Sequence, residues 1–473
     1  MKKILDWLLP FIFILVFIYG RIVCYGPMND SVAVQDTESY FATAEKAAFS
    51  LDFFQQSRSI TYPLLIKISN PTLEHELTQL SEPYFGTEAR LAVQPGTETL
   101  VRNQTVISII CWVLCAVLTA SSLNGLFAKA LSTFLILVCG LVPQIADWDS
   151  ILSTESLSIS LFVLTLGLLF KVIPDGRADS WRSWLAGLGL VVVSFFWAFT
   201  RDTNVYFIIV EAVLLVFTGI LFWLRRKGQR VSALLSGFFL IGLFFFHQGT
   251  LRESDRWVVP LLNNLTTNVF PHEERVAFFE DNGMPVEGTL LETTGSAEYN
   301  DLMENEKFMH WVRRFGLNTY QRFLLSMPLW SVLQVYENLD PFFEENRQPF
   351  FYGSKEQRPH WAEKPGNLAL PLSASVIVID LLLLVMLAVK AVQTGDGNDI
   401  RAFWTLLVLF LGGGLLMSLS YLGEVRSIWR HVLGGVTALR LMTWLGICAM
   451  FSTPKEIAED RENYLANASN TLS

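Results

Sequence analysis

The chain of 473 residues is 52% hydrophobic and 13% aromatic, with only 17% charged residues, whereas charged residues alone make up about a quarter of an ordinary soluble protein. A membrane protein is the class this leaves. The net charge of −9 argues against nucleic acid as a partner, because a phosphate backbone calls for a basic surface.

A bilayer core of about 30 Å needs about 20 apolar residues in a helix, and ten runs approach that length: roughly 4–23, 104–124, 128–146, 156–173, 183–200, 205–224, 231–248, 368–392, 402–422 and 431–451. Lys2 and Lys3 could open a signal peptide, but the run is long and no small-residue cleavage site follows Arg21, so an uncleaved first span is expected. Cys111, Cys115, Cys139 and Cys448 fall inside apolar runs as small hydrophobes. The expected fold is an all-α integral membrane protein of about ten spans, with two large external loops carrying amphipathic helices.

Basic residues in short loops set the orientation. Lys129, Lys171, Arg177, Arg182, Arg225, Arg226, Lys227, Arg230 and Arg401 fall on one side, which is expected to be cytoplasmic along with both termini. The turn at 423–430 breaks the rule with Arg426 and Arg430. Two long segments, 25–103 and 249–367, are then external. The organisation expected is a membrane module over 1–248 with 25–103 as its first external loop, a partly helical cap over 249–367, terminal spans over 368–451 and a cytoplasmic tail over 452–473.

In the first loop, Tyr40, Ala44, Ala47, Ala48 and Leu51 recur at helical spacing, predicting one amphipathic helix on the membrane surface. Asp36 at its start reads as an N-cap, as a general base, or as both. An apolar wall on one side would raise its proton affinity. Glu38 suits the first turn of the same helix.

The other outward ends gather Asp147, Asp149 and Glu155, then Arg201 and Asp202, then Glu424, Arg426, Arg430 and His431. Asp147 and Asp149 either flank an interfacial tryptophan or share a hard cation, Mg²⁺ or Mn²⁺, with a third acid. Glu155 could simply cap its helix. The arginines either meet lipid headgroups or grip a phosphate with their planar forks. Arg440 lies midway along the last span, where a charge is costly unless it faces protein or water, and Glu211 and Asp380 raise the same question.

The first span followed by Asp36-Thr37-Glu38-Ser39-Tyr40, then Arg58, then Tyr62-Pro63-Leu64-Leu65, resembles the opening of the GT-C superfamily of integral-membrane glycosyltransferases. Ile151–Leu157 and the stretch Glu424-Val425-Arg426 with Arg430-His431 look similar too. The resemblance implies a multi-pass protein of a cell inner membrane that moves a sugar from a polyprenyl-phosphate or pyrophosphate donor to a glycan, lipid or protein hydroxyl. It implies that Asp36, with Glu38 beside it, supplies the base, and that Arg58, Arg201, Arg426 and Arg430 hold the donor phosphate. Asp147 and Asp149 resemble the paired acids of the metal-dependent oligosaccharyltransferase branch, whereas other branches work without metal. Two rival functions are a lipid-linked-substrate transporter, using Glu211, Asp380 and Arg440 as a charge path, and a non-enzymatic envelope assembly protein.

Overall fold

The computed structural model describes residues 2–25, 31–48, 50–72, 77, 79–80, 94–174, 179–224, 231–285, 300–344, 348 and 363–453. Among them, nine helices are long and apolar enough to cross a membrane, and a bent pair, Leu126–Leu141 with Pro143–Ser150, makes up to ten. The chain is an all-α multi-pass membrane protein. The 56° bend in that pair sits at Val142, whose extended backbone (ψ 150°) is what a residue before proline prefers. It folds Asp147–Ser150 back into the protein, where all four residues are buried.

Most expected spans lie within a few residues of their helices. Two differ by more. The second begins at Glu98, because the mixed stretch 98–103, with Leu100 and Val101 buried, continues the helix beyond the apolar run. The eighth begins at Ser375, since Pro371 separates it from the short helix Glu363–Ala369. The helices Glu155–Val172 and Ile428–Met450 are the innermost, with 78% and 83% of their apolar windows buried, against 22% for the first helix. Gly435 lets the last two helices touch, since a Cβ there would sit 2.6 Å from the Gly413 carbonyl oxygen. Ser427, in the left-handed region at φ 48°, turns the chain into the last helix.

The single amphipathic helix expected over 36–51 is broken into Thr37–Ala44 and Leu51–Phe54. Its apolar face meets protein instead of lipid. Tyr40 packs edge-on against Tyr62 at 5.2 Å, in a cluster with Leu65, Ile66 and Leu152. Lys67 Nζ donates to the Ala44 carbonyl, satisfying the helix at its C-terminal end. Two backbone bonds, Val32 N–H to Ser150 O and Leu152 N–H to Val32 O, both 2.9 Å, pin the first loop to the bent pair. Thr37 Oγ1 adds a 2.9 Å bond to the Leu152 carbonyl. The segment bearing Asp36 is thereby fixed beside the one that leads to Glu155.

The described residues of the cap segment 249–367 are mainly helical and share an apolar cluster that includes Leu262, Leu265, Phe279, Phe308, Trp311 and Phe323. They grip the end of the penultimate span. Tyr320 Oη donates to the Leu422 carbonyl at 2.8 Å, and Asn264 Nδ2 donates to the Gly423 carbonyl at 2.8 Å. The residues beyond 453, and the segments 175–178 and 225–230, lie outside those described.

Candidate active site

Four chain segments converge at one end of the helix bundle. Arg58 Nη2 donates to Asp36 Oδ1 at 2.6 Å, and Arg430 Nη2 lies 2.7 Å from Asp36 Oδ2. Arg430 Nε donates to Glu155 Oε1, and Arg201 Nη1 stands 3.4 Å from the same oxygen. Ser153 Oγ donates to Glu155 Oε2 and accepts from Arg430 Nη2 at 3.2 Å. Arg201 is further fixed by the Arg430 carbonyl at 2.7 Å and by His431 Nδ1 at 2.9 Å. Two carboxylates and three guanidinium groups thus alternate in one network.

Neither carboxylate serves chiefly as a cap. Asp36 makes no side-chain capping bond to its helix, its oxygens being taken by arginines. Glu155 opens its helix, but its side chain, 0% exposed, is held by Arg430, Arg201 and Ser153. Burial alone would raise the Asp36 carboxyl. Arg430 and Arg58 outweigh it and hold the group well below the usual carboxylate range. The expectation of a raised proton affinity is therefore reversed, because the apolar wall is accompanied by two cations.

The neighbours of the network are positioned by polar contacts. Arg58 Nε donates to Ser39 Oγ at 2.6 Å, and its guanidinium lies 5.1 Å from the Tyr40 ring centre. Asp202, next to Arg201, accepts from Ser59 Oγ at 2.9 Å and stands 3.2 Å from both His247 and Arg256. These contacts lock the 199–203 turn to the first loop. A cavity of about 10 Å³, room for about one water, lies among Glu155, Ser158, Arg201, Asn204 and His431.

Glu424 sits at the edge. Asn263 Nδ2 lies 3.1 Å from each of its oxygens, and the Arg426 N–H donates to Oε1 at 3.0 Å. Burial, only partly offset by those donors, pushes its carboxyl up to about 7. Glu38 is exposed on the first turn of its helix.

The other charges expected to act do not join the network. Asp149 is consumed by a buried ion pair with Arg21 and by a 2.5 Å bond from Ser156 Oγ. Asp147 is fully buried. Among the described residues no three His, Cys, Asp or Glu side chains gather as metal ligands, and Asp149 is taken by Arg21. Both aspartates were drawn inward by the bend at Val142. Arg440 donates to the carbonyls of Phe343 and Pro371 at 2.6 and 2.9 Å, tying the cap to the last helix. Asp380 accepts from Thr443 at 2.6 Å. Among the described residues Arg440, Asp380 and Glu211 form no ion pair with one another, which leaves a transport path without connected charges.

Sequence reasoning missed Ser39, Ser153, His247, Arg256 and Asn263. The two serines lie inside the stretches already singled out. His247, Arg256 and Asn263 come from the cap and its adjoining span, and no local pattern marks them.

No family model matches the chain, and no curated protein matches it. Seven chains among solved structures match. They include the archaeal oligosaccharyltransferase AglB from Archaeoglobus fulgidus in complex with an inhibitory peptide and a dolichol-phosphate, at 10% identity over 99% of this chain and 52% of that one, with a TM-score of 0.45. The same organism's oligosaccharyltransferase in the apo form matches at 11% identity over 100% and 52%, with a TM-score of 0.43. Its complex with Zn and sulfate matches at 10% identity over 94% and 49%, with a TM-score of 0.39. The chain spans about half the length of these structures. Similarity at this depth carries no argument about chemistry, which has to come from the residues of this chain.

Proposed function

We propose that the chain is an inverting membrane glycosyltransferase. It moves a sugar from a polyprenyl-phosphate or pyrophosphate donor to an acceptor hydroxyl at the outward face of the membrane. The observation that carries this reading is the Asp36–Arg58–Arg430–Glu155–Arg201 network at one end of the bundle. A carboxylate within reach of water stands directly beside guanidinium forks suited to a phosphate.

In the reaction, the acceptor oxygen forms a bond to the anomeric carbon as the bond from that carbon to the phosphate oxygen breaks. The electron pair leaves with the lipid phosphate, whose growing charge Arg58, Arg430 and Arg201 stabilise. The hydroxyl proton passes to Asp36. Attack opposite the phosphate inverts the anomeric centre. Glu155 keeps Arg201 and Arg430 aimed.

The test uses purified full chain in lipid nanodiscs with a panel of radiolabelled short-chain polyprenyl-phosphate and pyrophosphate sugars, reading transfer of label and release of the lipid phosphate. Wild type is expected to consume at least one donor, and Asp36→Asn to slow turnover at least about 100-fold with donor binding kept. Near-normal turnover in folded Asp36→Asn would remove the base assignment. Consumption of no donor by wild type would favour the assembly-protein alternative.

A further inference from the structure

We infer that the donor site is matched to a single negative charge, a phosphodiester linking one lipid to one sugar, and selects against a pyrophosphate. The inference rests on the proposed donor-phosphate role of the network and narrows its substrate. Three guanidinium groups face two carboxylates, leaving one positive charge uncompensated. The groups around them do not alter that balance. His431 presents Nδ1 to an Arg201 N–H, so that nitrogen accepts and the ring is neutral. Asp202 faces Arg256, and above pH 7, where its raised carboxyl is ionised, Glu424 offsets Arg426. Tyr40, Ser39 and Ser153 are neutral.

The inner part of the site is also poorly hydrated, while Asp36 and Arg58 at its mouth are 24% and 32% exposed. The side chains of Glu155, Arg430 and Arg201 are 0%, 11% and 13% exposed. In such a place the attraction of an anion to a fixed positive charge grows in proportion to its own charge, while the cost of stripping its water grows with the square. A phosphodiester monoanion brings the site to neutrality. A pyrophosphate diester carries twice the charge and would leave one negative charge buried.

A divalent cation could offset that excess only if acids were free to hold it. Asp149 is spent on Arg21 and Ser156 and Glu155 is buried on arginines, so a donor that draws the arginines off Asp36 frees a single carboxylate. Among the described residues no three His, Cys, Asp or Glu side chains gather to hold a cation ahead of the donor.

The experiment compares two sugar-free probes, farnesyl methyl phosphate and farnesyl methyl pyrophosphate, by calorimetry at about pH 8, above the Glu424 value of about 7, on the full chain in nanodiscs, each with EDTA and with Mg²⁺. The phosphate diester is expected to bind at least tenfold tighter in both conditions. Glu155→Gln, which adds one net positive charge, is expected to narrow the gap, with folding checked by melting. A pyrophosphate that binds as tightly as the phosphate, with or without Mg²⁺, would overturn the inference and leave the lipid-phosphate site standing. Failure of both probes to bind would instead overturn the donor-site reading itself.

Discussion

Arg430 joins both carboxylates of the network, so its removal is the sharpest perturbation of the site. Arg430→Met leaves Glu155, 0% exposed, with Arg201 at 3.4 Å as its remaining guanidinium. Breaking a buried ion pair costs about 3 to 5 kcal/mol, and because Arg201 stays the lower end applies, about 3 kcal/mol. The Asp36 contact adds little, since its side chain is 24% exposed and keeps Arg58. Arg430→Lys retains the charge but cannot serve both acids with one planar fork, so stability should return to within about 1 kcal/mol of wild type. Phosphate binding should not recover in step. Loss of a charge-assisted bond to a buried phosphate costs about 1.5 to 3 kcal/mol, or about 10- to 100-fold in affinity for farnesyl methyl phosphate, in both variants. Four of the five cysteines, Cys111, Cys115, Cys139 and Cys448, are buried. A thiol-reactive dye therefore reports unfolding directly. An Arg430→Met protein that melts with wild type and binds the probe unchanged would refute both the buried pair and the phosphate assignment.

Three further outcomes are expected. Because the folded Glu424 carboxyl titrates near 7, against about 4.5 when unfolded, its stabilising effect is complete below about 4.5 and lost as pH rises through 7. Glu424→Gln should then be more stable than wild type by about 2 to 3 kcal/mol at pH 8 and no more stable at pH 4, read from paired melts. Asp149→Asn leaves Arg21, 1% exposed, without its carboxylate, and should destabilise the fold by about 3 to 5 kcal/mol while EDTA leaves wild-type turnover within about twofold. A chelator-sensitive wild type would restore the metal reading of the two aspartates. On a Cys24→Ser background in cells, an impermeant thiol reagent should label Glu38→Cys and spare Gln393→Cys, both exposed positions; the opposite pattern would invert the assumed orientation.

Much of the fold was legible because hydrophobic length is a local property: ten apolar runs gave nine long helices and one bent pair. The bend itself had a local sign in Val142-Pro143, yet its consequence did not. Asp149 is paired with Arg21, 128 residues away, and pairing over that distance leaves no periodic trace. The same holds for the surface helix. Tyr40 and Ala44 have the spacing of a lipid-facing stripe, but Tyr62 and the Thr61–Ser69 helix arrive to cover it. Asp36, Arg58, Glu155, Arg201 and Arg430 were legible for a different reason. Charged residues at the ends of apolar helices have few places to go, and bundling the helices brings those ends together. What could not be seen was how they pair, and pairing decides whether a carboxylate gains or loses basicity.

Its pairing sets a condition on Asp36 as a base. With Arg58 and Arg430 on its two oxygens, its carboxyl lies below the usual range, and so weak a base takes little of a hydroxyl proton. In the proposed reaction, a donor phosphate that draws the arginine forks toward itself relieves the acid and raises its proton affinity when the acceptor arrives. The acid limb of kcat/KM, which reports free enzyme, should therefore fall at lower pH than the acid limb of kcat, which reports the loaded enzyme. Arg58→Gln removes one cation in advance, so its kcat/KM limb should move up toward the ordinary carboxylate value of about 3.9 and close the gap. Stability follows the same sign: a depressed folded value stabilises above about 3.9 and is lost as pH falls, so Asp36→Asn should flatten the acid side of the melting curve. Coincident limbs in wild type, unmoved by Arg58→Gln, would show that phosphate and base do not compete for the same arginines.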